Sequence, residues 1–171
     1  MISINNKLLL SDDVCERIKS EYKDKLTLIK SDIRQQKNYH ELNENSWLFN
    51  EIKKLVSVNL GDEYFLYNRV TILKYVKGDY FLEHSDGPSN TVLRSEYGSE
   101  KLKPHFFGGV ELCNSSEFKG GDFYIDGKLV EYKKGRMFTH GFNDLHEVKE
   151  VTDGERWSIH FLIHKENLFL I

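Results

Sequence analysis

Residues 146–161 read HEVKEVTDGERWSIHF, and this stretch narrows the choice of folds more than any other part of the chain. Apolar and polar residues alternate on both sides of Asp153-Gly154, as in two β-strands joined at a turn. If that dipeptide closed a flat two-residue hairpin, His146 and Arg156 would lie on opposite faces of one sheet. Both carry groups that suit one functional site, and they can share a cavity only if the chain crosses between two sheets or carries a β-bulge. A double-sheet jelly roll meets this condition, whereas a flat meander does not.

The rest of the chain from Tyr64 onward also has the pattern of short β-strands. The clearest sign is in residues 122–132, where Asp126-Gly127 supplies the positive φ angles of a type I′ turn between two extended runs. Enrichment in β-branched and aromatic residues, or alternation, predicts further strands. They fall at residues 67–75, 80–84, 135–139, 145–151 and 156–164.

Two helices are predicted before the strands. Ser11-Asp12-Asp13 is an N-cap cluster, and apolar residues at helical spacing follow it, which predicts a helix over residues 12–25. A second helix is expected over residues 45–60, ended by Gly61. Without repeats or linkers, we expect one domain over residues 1–171, mainly β with supporting N-terminal helices. The helical support would cover about 11–60 and the jelly-roll core about 64–164.

The composition excludes several classes of function. With a net charge of −3, the chain has no basic surplus to neutralise phosphates, so no nucleic-acid partner is expected. No apolar run is long enough to span a membrane, and residues 1–10 lack the pattern of a secretory signal, so no membrane association is expected. Cys15 and Cys113 stand in unrelated contexts, which predicts a reducing, cytoplasmic location.

His84-Ser85-Asp86 is the leading candidate for a functional motif. Side chains at positions i and i+2 of a strand project to the same face, so both can reach one metal ion. Imidazole and carboxylate groups suit Fe(II), and Gly87-Pro88 ends the strand at a rim that small molecules can enter. A single triplet of this kind is weak support, because a hydrogen-bonded surface histidine is the more common explanation for the triplet alone. His146, at the start of an alternating segment, is the preferred third ligand.

The other histidines have their own expected roles. His140 is either a loop residue or a rival to His146 as ligand. His160 shares strand parity with Arg156 and is expected to line the cavity without contacting the metal. The remaining three, predicted to be surface residues, are His40, His105 and His164.

In order and spacing, these motifs resemble the Fe(II)/2-oxoglutarate-dependent oxygenases, specifically their prolyl 4-hydroxylase-like branch. The similarity extends over about residues 64–163. The matching segments are Leu73-Lys74-Tyr75-x-x-Gly78, His84-x-Asp86, Phe118-Lys119-Gly120-Gly121-Asp122, Lys134-Gly135-Arg136, and residues 146–156.

The resemblance implies a double-stranded β-helix in which three residues hold Fe(II), namely His84, Asp86 and His146. It further implies 2-oxoglutarate and O2 as cosubstrates, with ascorbate as an optional reductant. 2-Oxoglutarate would chelate the iron through its keto and C1 carboxylate oxygens, and would leave as succinate and CO2.

For the remainder of the pocket, the resemblance implies that Arg156 pairs with the C5 carboxylate of 2-oxoglutarate. The hydroxyl of Tyr75 would point into the same pocket, and Ser158 would assist in an Arg-x-Ser arrangement. The segment around Glu111 lacks an aromatic residue that several members of the family have there. Because Asp86 is intact, hydroxylation is expected rather than halogenation.

The expected reaction is hydroxylation of a prolyl residue in a protein or peptide. A free amino acid or another small metabolite is the alternative substrate, and a non-catalytic metal-binding jelly-roll module is the alternative class. Collagen is not expected, because the chain shows neither a secretory signal nor a separate peptide-binding domain.

The candidate for substrate binding is the polar, patternless segment from Gly87 to Pro104. A segment of this length without strand or helix pattern is typical of a functional loop or lid rather than a simple connector. Its possible contacts with a substrate are Arg94, Tyr97, Lys101 and Lys103.

Overall fold

The computed structural model describes residues 6–87 and 106–165, apart from the side chain of Asn68. In these ranges the chain forms two helices and eleven strands. In chain order they are α1 (Asp12–Tyr22), β1 (Thr27–Lys30), β2 (Arg34–Glu41), α2 (Trp47–Leu60), β3 (Tyr64–Val76), β4 (Tyr80–His84), β5 (Phe106–Glu111), β6 (Phe118–Gly120), β7 (Phe123–Ile125), β8 (Lys128–Leu129), β9 (Met137–His140), β10 (His146–Val148) and β11 (Val151–Lys165).

Both helices begin and end where local side-chain chemistry dictates. The Ser11 hydroxyl accepts a hydrogen bond from the Val14 amide at the start of α1, and Ser46 caps α2 in the same way. Gly61 ends α2 with a φ of +124°, a backbone conformation that favours glycine. Neither helix in the described ranges has the length and apolar character needed to cross a membrane.

The strands form one curled antiparallel sheet that folds over on itself. The order across it is β8-β7-β10-β4-β2-β3-β11-β5-β9, with β1 beside β2 and β6 beside β11. Its two halves meet through their inward side chains, as in the contact between Phe123 of β7 and Phe138 of β9, whose ring centroids are 5.1 Å apart. This is the predicted mainly β jelly roll, a double-stranded β-helix backed by two helices.

The crossing predicted near residues 146–161 is confirmed, although it does not occur at Asp153-Gly154. Strand β10 pairs with β4 and β7, while β11 pairs with β3 and β5, so the chain crosses from one half of the curled sheet to the other at Lys149-Glu150. Asp153-Gly154 lies within β11, where the pairing with β6 shifts register between Val151 and Asp153. A flat two-residue hairpin is therefore not what this dipeptide forms, and the register shift beside it corresponds to the bulge that was the alternative to a crossing at this point.

Strand alternation on β11 separates a structural face from a functional face. Ile159, Phe161 and Ile163 point towards α1 and α2 and belong to the main hydrophobic core. Arg156, Ser158 and His160 alternate with them, so they point into the interior between the two halves of the sheet. One face of β11 therefore packs in the hydrophobic core, and the other carries the candidate functional residues.

Two strands lie in the segment expected to be only helical support. Strands β1 and β2 connect α1 to α2, and β2 pairs with both β3 and β4, which joins the two halves of the sheet. The buried residues of β2 include Gln36 and Asn38, so the hydrophobic alternation that marks a strand is missing. Pairing with β3 supplies the stability that the sequence pattern does not reveal.

Candidate metal centre

The three predicted metal ligands lie together at one end of β4 and β10. His84 is the last residue of β4, His146 is the first of β10, and the two are direct cross-strand partners. Asp86 follows two residues after His84. Within residues 6–87 and 106–165, these side chains form the one group of this kind whose ligand atoms all lie within 4.8 Å of one another.

The distances between the ligand atoms suit a single divalent ion. His146 Nε2 lies 3.4 Å from Asp86 Oδ2, and His84 Nε2 lies 3.8 Å from Asp86 Oδ1. Two ligands at about 2.1 Å from a six-coordinate ion are about 3 Å apart when they stand at right angles. Small side-chain rotations therefore suffice for the three groups to coordinate one face of a single ion.

Hydrogen bonds to the backbone fix which nitrogen of each histidine is available. His84 Nδ1 lies 2.7 Å from the Leu82 carbonyl oxygen, and His146 Nδ1 lies 3.0 Å from that of Asp144. Each Nδ1 therefore donates its proton to a carbonyl, which leaves the Nε2 lone pair facing Asp86. Burial lowers the pKa of His84 below its ordinary value, and a neutral imidazole is the form that binds a metal.

His140 lies beside the predicted metal ligands but outside their group. It is the last residue of β9 rather than a loop residue, and its ring centroid is 4.3 Å from that of His146. Burial and the nearby His146 lower its pKa to about 3, so it stays neutral. His140 Nδ1 contacts the Gly141 carbonyl oxygen, while its Nε2 has no hydrogen-bond partner among the described residues.

The other histidines lie away from the ligand atoms. His160 lines the interior as expected, with its ring beside those of Phe138 and His140, and burial lowers its pKa well below the ordinary value. His40 is exposed, as predicted, whereas His164 is half-buried at the end of β11. His105 lies outside the described residues.

The predicted cosubstrate residues occupy neighbouring strands on the interior face. Arg156 of β11 is the direct cross-strand partner of Tyr75 of β3, and its Cζ lies 5.4 Å from the centre of the tyrosine ring. Ser158 follows two residues later on the same face of β11. All three side chains are almost completely buried.

Phe123 lies between these residues and the predicted metal ligands. Its ring centroid lies 6.4 Å from that of His146 and 5.7 Å from the Cζ atom of Arg156. The Tyr132 ring stands at 5.7 Å from the same Cζ atom. The buried guanidinium therefore lies among aromatic rings, one of which also lies beside His146 of the ligand group.

Glu111 belongs to this group of buried residues, although no role was predicted for it from the sequence. It is the last residue of β5 and the direct partner of Ser158, so its side chain shares the face of Arg156. Its Oε1 lies 2.5 Å from Arg156 Nη2, and both side chains are only 1–2% exposed. A glutamate in an otherwise apolar strand, at the position where an aromatic residue was missing, was the available signal.

Several polar atoms of this pocket have no hydrogen-bond partner among the described residues. They are Nε and Nη1 of Arg156, Oγ of Ser158 and Oε2 of Glu111. Buried polar atoms are seldom left unpaired, so such a cluster is typical of a ligand-binding site. Burial raises the pKa of the Glu111 carboxyl, although Arg156 acts in the opposite direction. Burial disfavours the charge on Arg156, yet Glu111, Tyr132 and Tyr75 raise its pKa further.

The segment predicted to bind substrate, Gly87 to Pro104, lies almost entirely outside the described residues. Gly87 is its one residue that the structure describes, and it has a φ of +80° directly after Asp86. Its far end at Pro104 falls outside the described ranges, so neither the extent of the segment nor its role as a lid is tested. The same holds for the expected substrate contacts, which remain predictions: Arg94, Tyr97, Lys101 and Lys103.

Comparison with known proteins gives a match in structure but not in sequence. No family model matches this chain, and no curated protein matches it. A prolyl-4-hydroxylase from Pseudomonas putida superposes with a TM-score of 0.64 at 14% identity, covering 93% of this chain and 90% of that one. The 2-oxoglutarate complex of the viral collagen prolyl hydroxylase from Paramecium bursaria Chlorella virus-1 gives 0.66 at 19% identity, with 91% and 92% covered. A non-haem α-ketoglutarate-dependent carbocyclase from nogalamycin biosynthesis gives 0.67 at 13% identity, with 95% and 78% covered.

These similarities establish the class of fold. The chain has the double-stranded β-helix of the 2-oxoglutarate- and Fe(II)-dependent oxygenases, so the resemblance seen in the motifs is confirmed at the level of fold. The solved structures that share it include prolyl hydroxylases and a carbocyclase. One fold therefore serves different substrates, and the residues of the site must decide the activity.

Proposed function

We propose that this chain is an Fe(II)- and 2-oxoglutarate-dependent dioxygenase that hydroxylates a prolyl residue of a protein or peptide. One observation carries the proposal: the ring of Phe123 lies beside both the buried Arg156 and His146, which belongs to the group formed with His84 and Asp86. A purely structural metal site has no use for a buried guanidinium in the adjoining pocket. A non-catalytic module is therefore the weaker explanation.

The ligand group fits Fe(II) better than the common structural ions. Two neutral imidazoles and one carboxylate on one face of the ion leave the remaining positions for small molecules. Such a set leaves a bound divalent ion with one net positive charge, which favours an anionic chelator. Bound iron would supply the activation of O2 that is coupled to hydroxylation and to conversion of 2-oxoglutarate into succinate and CO2.

The unpaired donors of the adjoining pocket fit the far end of 2-oxoglutarate. The guanidinium of Arg156 would bind the C5 carboxylate, and the hydroxyl groups of Ser158 and Tyr75 would donate further hydrogen bonds. Phe123 and Tyr132 flank the guanidinium and keep water from competing for these donors. The chain's own residues thus bind and orient the cosubstrate relative to the ligand group.

Domain organisation and location complete the proposal. We treat residues 1–171 as one domain, because α1, α2 and strands of the sheet pack together in the main hydrophobic cluster. Both cysteines are buried free thiols, which suits a reducing compartment such as the cytoplasm.

The experiment that tests this function is a substrate screen scored by succinate release. Full-length protein with Fe(II), 2-oxoglutarate, O2 and ascorbate would be given proline-containing peptides, free proline and other amino acids, each product being checked by mass. A gain of one oxygen on a peptidyl proline, absent with Asp86→Ala, is the expected result. Oxidation of only free amino acids would move the assignment to a small-metabolite hydroxylase. Succinate release stimulated by no substrate in the screen would count against the peptide assignment.

A further inference from the structure

The Glu111–Arg156 pair places a protein carboxylate where the cosubstrate carboxylate is expected. Glu111 binds Arg156 through a single contact, Nη2 to Oε1 at 2.5 Å, and its second oxygen has no hydrogen-bond partner in the described ranges. The proposed function assigns Arg156 to 2-oxoglutarate and gives Glu111 no role. A buried acid at this position therefore needs an explanation of its own.

The guanidinium can serve two carboxyl groups at the same time. Arg156 Nη2 carries one hydrogen on each of its two sides, and Glu111 needs only one of them. Nε and Nη1 have no partner among the described residues, so the side that Glu111 does not use offers two parallel donors. A second carboxylate can bind there without displacement of Glu111.

The charges do not balance when both carboxyl groups are ionised. The divalent iron and Arg156 together cancel the charges of Asp86 and the 2-oxoglutarate dianion. An ionised Glu111 would leave one unpaired negative charge among side chains that are almost fully buried. Two carboxylates that share one small site avoid this cost when one of them takes up a proton.

Building on the proposed function, we propose that Glu111 is a specificity-determining residue that binds 2-oxoglutarate in its protonated form. In the free protein, the ionised Glu111 neutralises Arg156. When 2-oxoglutarate binds, Glu111 takes one proton from solvent, its O–H donates a hydrogen bond to the C5 carboxylate, and Arg156 pairs with that carboxylate. The pocket would thus select a terminal carboxylate by coupling its binding to proton uptake.

Four ionisable groups interact electrostatically with Glu111. They are Arg156 on β11, Tyr75 on β3, Tyr132 between β8 and β9, and Cys113 just beyond its own strand. Burial raises the pKa of Tyr132 to about 12 and that of Cys113 to about 11, so neither changes charge near neutral pH. Burial also raises the pKa of Glu111, which favours the uptake of a proton by this carboxyl when the cosubstrate binds.

The test is calorimetric titration of 2-oxoglutarate into Mn(II)-loaded full-length protein at pH 6.5, 7.5 and 8.5, conditions chosen to require no turnover. Repeating each titration in buffers of different ionisation enthalpy gives the number of protons taken up. We expect about one proton for the wild type, and a dissociation constant that rises about tenfold per pH unit where Glu111 is ionised in the free protein. Glu111→Gln keeps the shape and a hydrogen-bond donor, so it should take up no proton and bind with little pH dependence.

The control is Glu41→Gln, which removes a buried carboxylate remote from the pocket. In the wild type this carboxylate accepts a hydrogen bond from Tyr22, and the variant should bind 2-oxoglutarate as the wild type does.

Proton uptake near zero in the wild type, with normal 2-oxoglutarate binding, would overturn the role of Glu111 and leave the proposed function intact. Binding by Glu111→Gln alone would also overturn it, because Glu111 would then stay ionised and exclude the dianion. No binding by either protein at any pH would contradict the proposed function itself. The number of protons taken up by the wild type tests the proposal even if Glu111→Gln folds poorly.

Discussion

His84 and His146 face each other as direct partners on β4 and β10, with their ring centroids 4.2 Å apart. Each Nδ1 is bound to a backbone carbonyl two residues earlier in the chain. The jelly roll thus brings two histidines distant in sequence to one edge, and local hydrogen bonds direct their free nitrogens to Asp86. Fold and site are consequences of the same strand pairing.

Removing any one ligand should abolish most metal binding. His84→Ala, Asp86→Ala and His146→Ala each leave two ligands, too few to hold Fe(II) tightly, while the core of helices and strands is untouched. Calorimetric titration with Mn(II), with circular dichroism as a check on folding, measures the effect. His140→Gln is the matched control and should bind metal normally. Full binding by His146→Ala combined with loss in His140→Gln would transfer the third ligand position to His140.

Other divalent metals should occupy the same site and block turnover. Ni(II), Co(II) and Zn(II) suit imidazole and carboxylate ligands, and several bind such sets more tightly than Fe(II) does. We expect each to displace iron and to inhibit succinate release, with recovery after chelation and addition of Fe(II). Activity with Zn(II) alone would indicate Lewis-acid hydrolysis and would remove the oxygenase assignment.

Arg156 should control the affinity for 2-oxoglutarate and not that for the metal. Loss of a charged partner in a dry pocket typically costs on the order of 2–5 kcal/mol, so Arg156→Ala should weaken binding by roughly 30-fold or more. The affinity of Arg156→Lys for 2-oxoglutarate should lie between those of the wild type and Arg156→Ala. Tyr75→Phe should lose about 1 kcal/mol of binding free energy. The measurement is 2-oxoglutarate titration of metal-loaded protein.

Folding must be followed in the same variants, because Arg156→Ala also leaves Glu111 buried without its partner. Removing one member of a buried pair commonly destabilises a protein by about 3–5 kcal/mol. The double variant Arg156→Ala/Glu111→Gln relieves that cost and isolates the loss of the cosubstrate contact. Wild-type affinity in the double variant would refute the assignment of Arg156.

The close approach of β6 to β11 should make Gly154 much less replaceable than Gly127. Both have a positive φ, +73° and +71°, so alanine is strained at either position by about 1 kcal/mol. A Cβ atom at Gly154 would lie 2.3 Å from the backbone oxygen of Glu117, whereas one at Gly127 meets nothing within 4 Å. Urea unfolding should show Gly154→Ala to be less stable than Gly127→Ala by at least about 2 kcal/mol. Equal losses in the free energy of unfolding for the two variants would contradict the close approach of β6 to Gly154.

Features that depend on neighbouring residues were predictable from the sequence. Asp126-Gly127 forms the expected turn, with φ values of +49° and +71°, and Gly61 ends α2 as predicted. The proximity of His84 and Asp86 also follows from their separation by a single residue, although Asp86 lies just beyond the end of β4. Each of these signals lies within a few residues of chain, where backbone preference and side-chain direction act directly.

Features that depend on distant strands were not predictable in the same way. Strand β2 carries buried Gln36 and Asn38, and only its pairing with β3 and β4 identifies it as a strand. The contact between Glu111 and Arg156 arises because β5 and β11 are neighbours in a particular register, with Glu111 opposite Ser158. A residue whose role is set by a partner on another strand shows no sign of it in its own segment.

The visible absorption of the protein with Fe(II) and 2-oxoglutarate under anaerobic conditions tests the central claim most directly. A weak metal-to-ligand charge-transfer band arises only when 2-oxoglutarate chelates iron, so it reports the ligand group and the pocket together without any substrate. We predict the band in the wild type, its absence in Asp86→Ala, and its appearance in Arg156→Ala only at much higher 2-oxoglutarate. No band in iron-loaded wild-type protein at saturating 2-oxoglutarate would contradict the assignment of this chain as an oxygenase.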